Sequence, residues 1–181
     1  MQLNSEGQYE VMFTGLKPGE HLFDFEFDHL FFENSGSEDI LDGRVAARVL
    51  MVKEERMMDF HFAIEGKVSV RCDRCNEPVE IPVSGEERLI VKLGDRYMEE
   101  SEEVQVVPET AGKIDLAPFF YEYIFLLLPA RRVHPEDGRV EKQCNPEILK
   151  KLKELSENHL PDPRWEVLKK LKTDPEENTN P

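Results

Sequence analysis

The sequence lacks what a secreted or membrane protein needs. It holds three cysteines in 181 residues, an odd number that closes no disulfide framework. Its longest apolar run, Ile124 to Ala130, falls far short of a membrane span. No basic-then-apolar leader opens it. We therefore expect a soluble, cytoplasmic protein with reduced thiols and no membrane partner. Glycine is also sparse, with ten residues and no cluster of them forming a phosphate-cradling loop. No internal repeat is present, and no small-molecule substrate is expected. Positive charge is scarce: 23 Lys+Arg stand against 38 Asp+Glu, a net −15. Such an excess of acid repels nucleic acid and favours basic partners.

The deficit of cations is uneven. Residues 1–130 hold 12 Lys+Arg against 27 Asp+Glu, residues 131–172 hold 11 against 8, and residues 173–181 hold none against 3. The segment 131–172 is thus the only net-basic part, and any surface that meets RNA is expected there. A chain of this length fits one domain and can bury a core without disulfides.

What the sequence does have is a Cys-x-x-Cys between two alternating runs. Met58, Phe60, Phe62, Ile64, Val68 and Val70 share one parity before it, and Val79, Ile81 and Val83 share one after it. Period-2 alternation on both sides of a short polar link with Pro78 predicts a β-hairpin with Cys72 and Cys75 at its tip. Two thiols aimed at one point make half a site for a soft metal. A redox dithiol would want its first cysteine at a helix N-terminus, and the resumed strand pattern leaves no helix there.

Around this hairpin the first part reads as strands. Tyr9–Phe13 predicts the first. Phe23, Phe25 and Phe27 alternate with Asp24, Glu26 and Asp28, which predicts a one-sided strand with its phenylalanines in the core. Residues 34–39 read as a loop. Gly43–Glu55 and Met57–Arg71 follow as long strands, with Glu86–Leu93 extending the sheet and Glu103–Val107 adding a short strand. The acidic stretch Gly94–Glu103 lacks the spacing of a calcium loop and reads as a solvated loop.

From residue 114 the pattern turns helical. Asp115 before Leu116-Ala117-Pro118 is a cap signal, and the helix it opens, through Leu128, is apolar nearly all round, as in a helix buried or covered by a partner. Asn145-Pro146-Glu147 and Asp162-Pro163 open two shorter helices. Ile148, Leu149, Leu152 and Leu155 form the apolar stripe of the first, and Trp165, Leu168 and Leu171 that of the second. The expected fold is α+β: an antiparallel bent sheet or partial β-barrel, then one buried helix and two short C-terminal amphipathic helices. We expect one domain over 1–172, strand-rich over 1–113 and helical over 114–172, and a disordered tail over 173–181.

Three segments now carry a resemblance. Cys72-Asp73-Arg74-Cys75-Asn76-Glu77-Pro78-Val79, Ile114-Asp115-Leu116 leading through Ile124 to Leu128-Pro129, and Asp162-Pro163-Arg164-Trp165 through Leu168 and Leu171 occur in the order and spacing of the YceD family of large ribosomal RNA subunit accumulation proteins. The chain resembles that family from about residue 40 onward. The resemblance implies a non-enzymatic factor for large-subunit ribosomal RNA accumulation, processing and ribosome assembly. Its implied partner is the large ribosomal subunit or its precursor, through a basic ribosomal protein, ribosomal RNA or both.

The chain departs from the family pattern where many members carry a second cysteine-rich stretch. Residues 131–144 keep one cysteine and one histidine, so a four-thiolate site is out of reach. A Cys3His set of Cys72, Cys75, His134 and Cys144 still suits a structural zinc. The plain alternative makes the first two thiols relics at a sheet edge, Cys144 a small buried hydrophobe and His134 a solvated loop residue. Both stay open on sequence alone. For RNA or a partner the candidate cations are Arg131, Arg132, Lys150, Lys151, Lys153, Arg164, Lys169, Lys170 and Lys172. The alternative is that Arg131 and Arg132 cap the preceding helix and the lysines solubilise exposed faces. A zinc-stabilised protein-interaction module unrelated to the ribosome, docking through the 119–128 helix, is the second functional reading. An enzyme is disfavoured, because the thiols lack activation and the carboxylates do not converge.

Overall fold

In a computed structural model of the chain, residues 8–36, 38–135 and 144–157 are described. They form eight strands and three helices: β1 (Glu10–Met12), β2 (Gly19–Phe27), α1 (His29–Asn34), β3 (Ile40–Lys53), β4 (Met57–Arg71), β5 (Pro78–Gly94), β6 (Met98–Ser101), β7 (Val104–Pro108), β8 (Lys113–Asp115), α2 (Ala117–Leu126) and α3 (Pro146–Glu157). Two compact units are distinguished, residues 1–144 and 145–181.

The first unit is built on a six-stranded sheet of order β2-β3-β4-β5-β7-β6, with a separate two-stranded sheet of β1 and β8. The α+β class is as expected. The large sheet is not closed into a barrel, since β2 and β6 are its edges. It is also not wholly antiparallel. β7 pairs parallel to β5, with Ile90 opposite Val104 and Gly94 opposite Pro108, and antiparallel to β6. The stretch expected to be a solvated loop supplies β6, which lies outside β7 with all four residues exposed. Glu86–Leu93 is the second half of the long strand β5.

One face of the sheet is buried, and the alternation dictates which. Met58, Phe60, Phe62, Ile64, Val68 and Val70 of β4 are all buried, as are Val79, Ile81, Val83, Leu89 and Val91 of β5. The antiparallel register sets Val70 opposite Val79 and Phe60 opposite Leu89, so the two apolar sets share that face. Gly66 is the gap in the β4 series. A Cβ there would collide with the carbonyl oxygen of Arg44 and with Cα of Val45. Glycine here lets β3 approach β4 at its paired position, Val45 opposite Gly66.

β2 contributes less to the core than expected. Phe27 is fully buried, but Phe23 and Phe25 are only partly covered, because β2 is an edge strand. The following α1 carries no sequence signal of its own. Asp28 caps it, its carboxylate accepting the Leu30 N–H at 3.0 Å, and it buries Phe31 and Phe32.

α2 lies across the buried face. The Asp115 carboxylate accepts the Ala117 N–H at 2.9 Å, as the cap signal implied, with Pro118 in the first turn. The Phe120 ring packs 4.7 Å from Phe27 and 5.5 Å from Phe62, and Tyr123 lies 5.1 Å from Phe62. The Tyr123 hydroxyl donates to the Arg88 carbonyl at 3.4 Å, and burial pushes its pKa above the usual tyrosine range. The helix is not buried all round: Phe125 is 38% and Leu126 63% exposed on its far side.

The second unit is described over residues 145–157. The Asn145 side chain accepts the Glu147 N–H at 3.0 Å, with Pro146 opening α3. The last expected helix, its stripe of Trp165, Leu168 and Leu171, and the tail lie outside the described residues. No described helix is long and apolar enough to cross a membrane.

Gly66→Ala tests the close approach of β3 and β4. The methyl meets backbone that cannot swing aside, so unfolding free energy should fall by about 1–3 kcal/mol in urea denaturation. An unchanged midpoint would mean the strands are not that close.

Candidate metal centre

The β4–β5 hairpin turns through residues 72–77. The Cys72 N–H donates to the Glu77 carbonyl and the Asn76 N–H to the Cys72 carbonyl, both at 2.9 Å. Asn76 takes φ 61°, a left-handed conformation that asparagine tolerates better than most residues. This tight turn places both cysteine side chains inward, where they are buried.

A second segment is laced onto the tip. The Asp73 N–H donates to the Arg132 carbonyl at 2.7 Å, and the Arg132 N–H donates back to the Asp73 carboxylate at 2.6 Å. The Arg132 guanidinium adds a looser contact at 3.8 Å. This exchange registers residues 131–135 against the turn and carries His134 inward. There His134 is 3% exposed, which overturns its reading as a solvated loop residue. Its Nε2 lies 3.2 Å from the Pro78 carbonyl oxygen. A carbonyl only accepts, so Nε2 carries the proton and Nδ1 presents its lone pair to the thiols.

All four sequence candidates converge. Nδ1 of His134 is 3.5 Å from Cys75 Sγ and 3.6 Å from Cys144 Sγ, and Cys144 Sγ is 3.7 Å from Cys72 Sγ. The four ligand atoms lie within 4.8 Å of one another, and every residue is buried. A tetrahedron drawn with zinc bond lengths has thiolate–thiolate edges of about 3.8 Å and thiolate–imidazole edges of about 3.6 Å. The three distances match those edges. The group could hold a metal ion. All three thiols are free.

The electrostatics favour a cation. Burial, the largest influence, pushes the Cys72 thiol up, but backbone N–H groups of Cys75, Arg74 and His134, with the His134 side chain, outweigh it and bring it down to about 6. Cys144 goes the other way: burial raises it, and the neighbouring thiols Cys72 and Cys75 raise it further. Crowded thiolates repel one another, and a divalent ion at their centre removes that penalty.

The candidate cations are not brought together in the same way. Arg131 is exposed, and Arg132 is half-buried and engaged with Asp73. α2 ends at Leu126 with no basic residue in its last turn. Lys150, Lys151 and Lys153 are exposed on α3, with Lys150 at 4.0 Å from Glu154. Arg164, Lys169, Lys170 and Lys172 lie outside the described residues. Two supporting groups, Asp73 and the Pro78 carbonyl, were not among the sequence candidates. A carboxylate inside the Cys-x-x-Cys turn is a visible signal for the first. The second is backbone and leaves no trace in the sequence.

Residues 60–172 match the family model described as large ribosomal RNA subunit accumulation protein YceD. The matched span contains all four members of the buried cluster. No curated protein and no solved structure matches the chain.

The metal-free, reduced chain should show the Cys72 effect in its stability. Between about 6 and the ordinary 9.0 the native thiol is ionised while the unfolded one holds its proton. Stability should therefore rise with pH across that window and be lost as pH falls through 6. Urea midpoints at several pH values check this, and Cys72→Ser should flatten the rise.

Proposed function

The chain belongs to the YceD family of large ribosomal RNA subunit accumulation proteins, and from that premise we propose that it is a non-enzymatic factor for the accumulation and processing of large-subunit ribosomal RNA and for subunit assembly. The family match over residues 60–172 is the observation that carries this reading. The charge division supports it. An acidic strand-rich part suits a basic ribosomal protein, and the net-basic segment 131–172 suits RNA.

In this reading Cys72, Cys75, His134 and Cys144 hold a structural zinc. These four side chains would fill the usual positions of a zinc ion, cross-linking the hairpin tip to residues 131–144 and leaving none for a catalytic water. The chain's own residues do the rest. Asp73 and Arg132 register the two backbones, and the Pro78 carbonyl fixes the histidine tautomer. The role of the centre is to hold the base of the basic segment in place.

The purified chain should retain about one equivalent of zinc, and free zinc a thousandfold above Kd should add about 4 kcal/mol to unfolding free energy. Cys144→Ser should lose most of that increment. Metal analysis and denaturation with and without chelator check both. A chain with no zinc and no response to it would leave the cluster as packing alone.

The functional test is the ratio of large- to small-subunit ribosomal RNA in cells depleted of this protein, with precursor ends mapped. A selective loss of the large-subunit species is expected. Wild type should rescue it, and the variant with Lys150, Lys151, Lys153, Lys169, Lys170 and Lys172 changed to Glu should neither rescue nor associate with ribosomes. An unchanged ratio on depletion overturns the proposal.

A further inference from the structure

The open edge of the large sheet carries a surface that neither the metal centre nor the basic segment uses. β6 is the last strand in the order, with β7 on one side and, among the described residues, no strand on the other. An edge strand presents a row of unpaired N–H and C=O groups that another extended chain can join. The first residue of β6, Met98, is 43% exposed, and the aromatic Tyr97 just before it is 70% exposed. A cleft of about 430 Å³ runs beside them, lined by Tyr97, Met98, Gln105, Val107, Ile114 and Phe119 among others. The lysine in this lining, Lys113, is held by Glu10 at 2.8 Å. The cleft forms where the buried face outruns its cover. Val107 is buried, whereas Glu99, opposite Gln105 in the register, stands exposed.

Charge identifies the occupant. Residues 94–110 carry Asp95, Glu99, Glu100, Glu102, Glu103 and Glu109 against the single cation Arg96, a net −5. All six carboxylates are exposed, and Glu100 and Glu109 already pair with Lys92 and Arg56. Such a rim repels RNA. It also repels a second copy of this chain, whose β6 edge carries the same charge, so the edge is guarded against pairing with itself. What it admits is a strand of opposite sign.

We propose that the β6 edge and its cleft bind an extended, lysine- or arginine-rich polypeptide segment by strand addition. Main-chain hydrogen bonds to β6 supply the docking, as in other edge-binding modes. An extended chain alternates its side chains across the sheet. Apolar residues of one parity then enter the cleft against Tyr97, Val107 and Phe119, and the segment's cations meet Glu99 at the rim of the cleft and Glu102 and Glu103 in the β6–β7 turn. The proposal concerns a different surface from the basic helices and stands whether or not those helices meet RNA.

The test uses the full-length protein and a short fluorescent peptide that alternates lysine with valine, followed by anisotropy. Saturable binding is expected. Tyr97→Ala, and separately Glu99→Lys with Glu102→Lys, should each weaken it about tenfold or more. Both variants change exposed residues, and circular dichroism checks that they fold. Glu54→Lys with Glu55→Lys, in the β3–β4 turn, should leave affinity within about twofold. A peptide alternating lysine with serine should bind at least about tenfold more weakly, because it has nothing to place in the cleft. Absence of saturable binding overturns the proposal, as does equal loss from the two charge reversals, equal binding of the two peptides, or binding of labelled oligouridylate that the Tyr97 variant abolishes. Because the measurement is made on purified protein, its failure leaves the ribosomal RNA ratio untouched and separates the two proposals.

Discussion

The pairing of β4 with β5 is the constraint on which the rest of the molecule depends. Its register runs unbroken from Met57 opposite Lys92 to Arg71 opposite Pro78. That register aligns two alternating apolar sets on one face and leaves charged residues such as Asp59 and Arg88 on the other, where they pair at 2.6 and 2.8 Å. A slip by one residue would set the two apolar sets on opposite faces and turn one of them to water. It would also open the turn that aims Cys72 and Cys75 at one point. Core and metal centre are thus set by the same ladder.

The apolar face then decides what covers it. α2 lays Phe120 and Ile124 on the sheet, and the aromatic rings of Tyr9, Phe25 and Phe27 close around Phe120 from the side. Gly85 has the same logic as Gly66: a Cβ there would strike the Leu127 side chain, so the end of α2 comes down on a bare stretch of β5. From there the chain needs only a few residues to reach the hairpin tip, where Asp73 and Arg132 exchange hydrogen bonds. The position of α2 is what makes His134 available to the cysteines.

Local periodicity makes part of this legible in the amino-acid sequence. The period-2 runs around Cys72 and Cys75 mark the hairpin, its buried parity and its tip. The Asp115 and Asn145 signals mark two helix starts, and both side chains accept the N–H groups expected of caps. Counting ligands finds the Cys3His set, although nothing local says that His134 is buried. That follows from an exchange of hydrogen bonds between residues 59 apart, which no pattern window can see. The same holds for β7, whose slot between β5 and β6 is a tertiary choice, and for β6, whose acidic composition hides a strand. α1 is hidden because Phe31 and Phe32 follow closely on the alternating phenylalanines of β2, and the cap at Asp28 doubles as the last acid of that alternation.

The cluster is also spread out in time. Cys75 and His134 are 59 residues apart in the chain. At synthesis rates of about 5–20 residues per second, that distance corresponds to about 3–12 s. Through that interval a nascent chain carries two closely spaced thiols and no other member of its set. Within that interval β5 is made first and completes the hairpin that holds them, and β7 and α2 follow before His134 appears. The last-made ligand, Cys144, ends the first unit where the basic segment's helix begins.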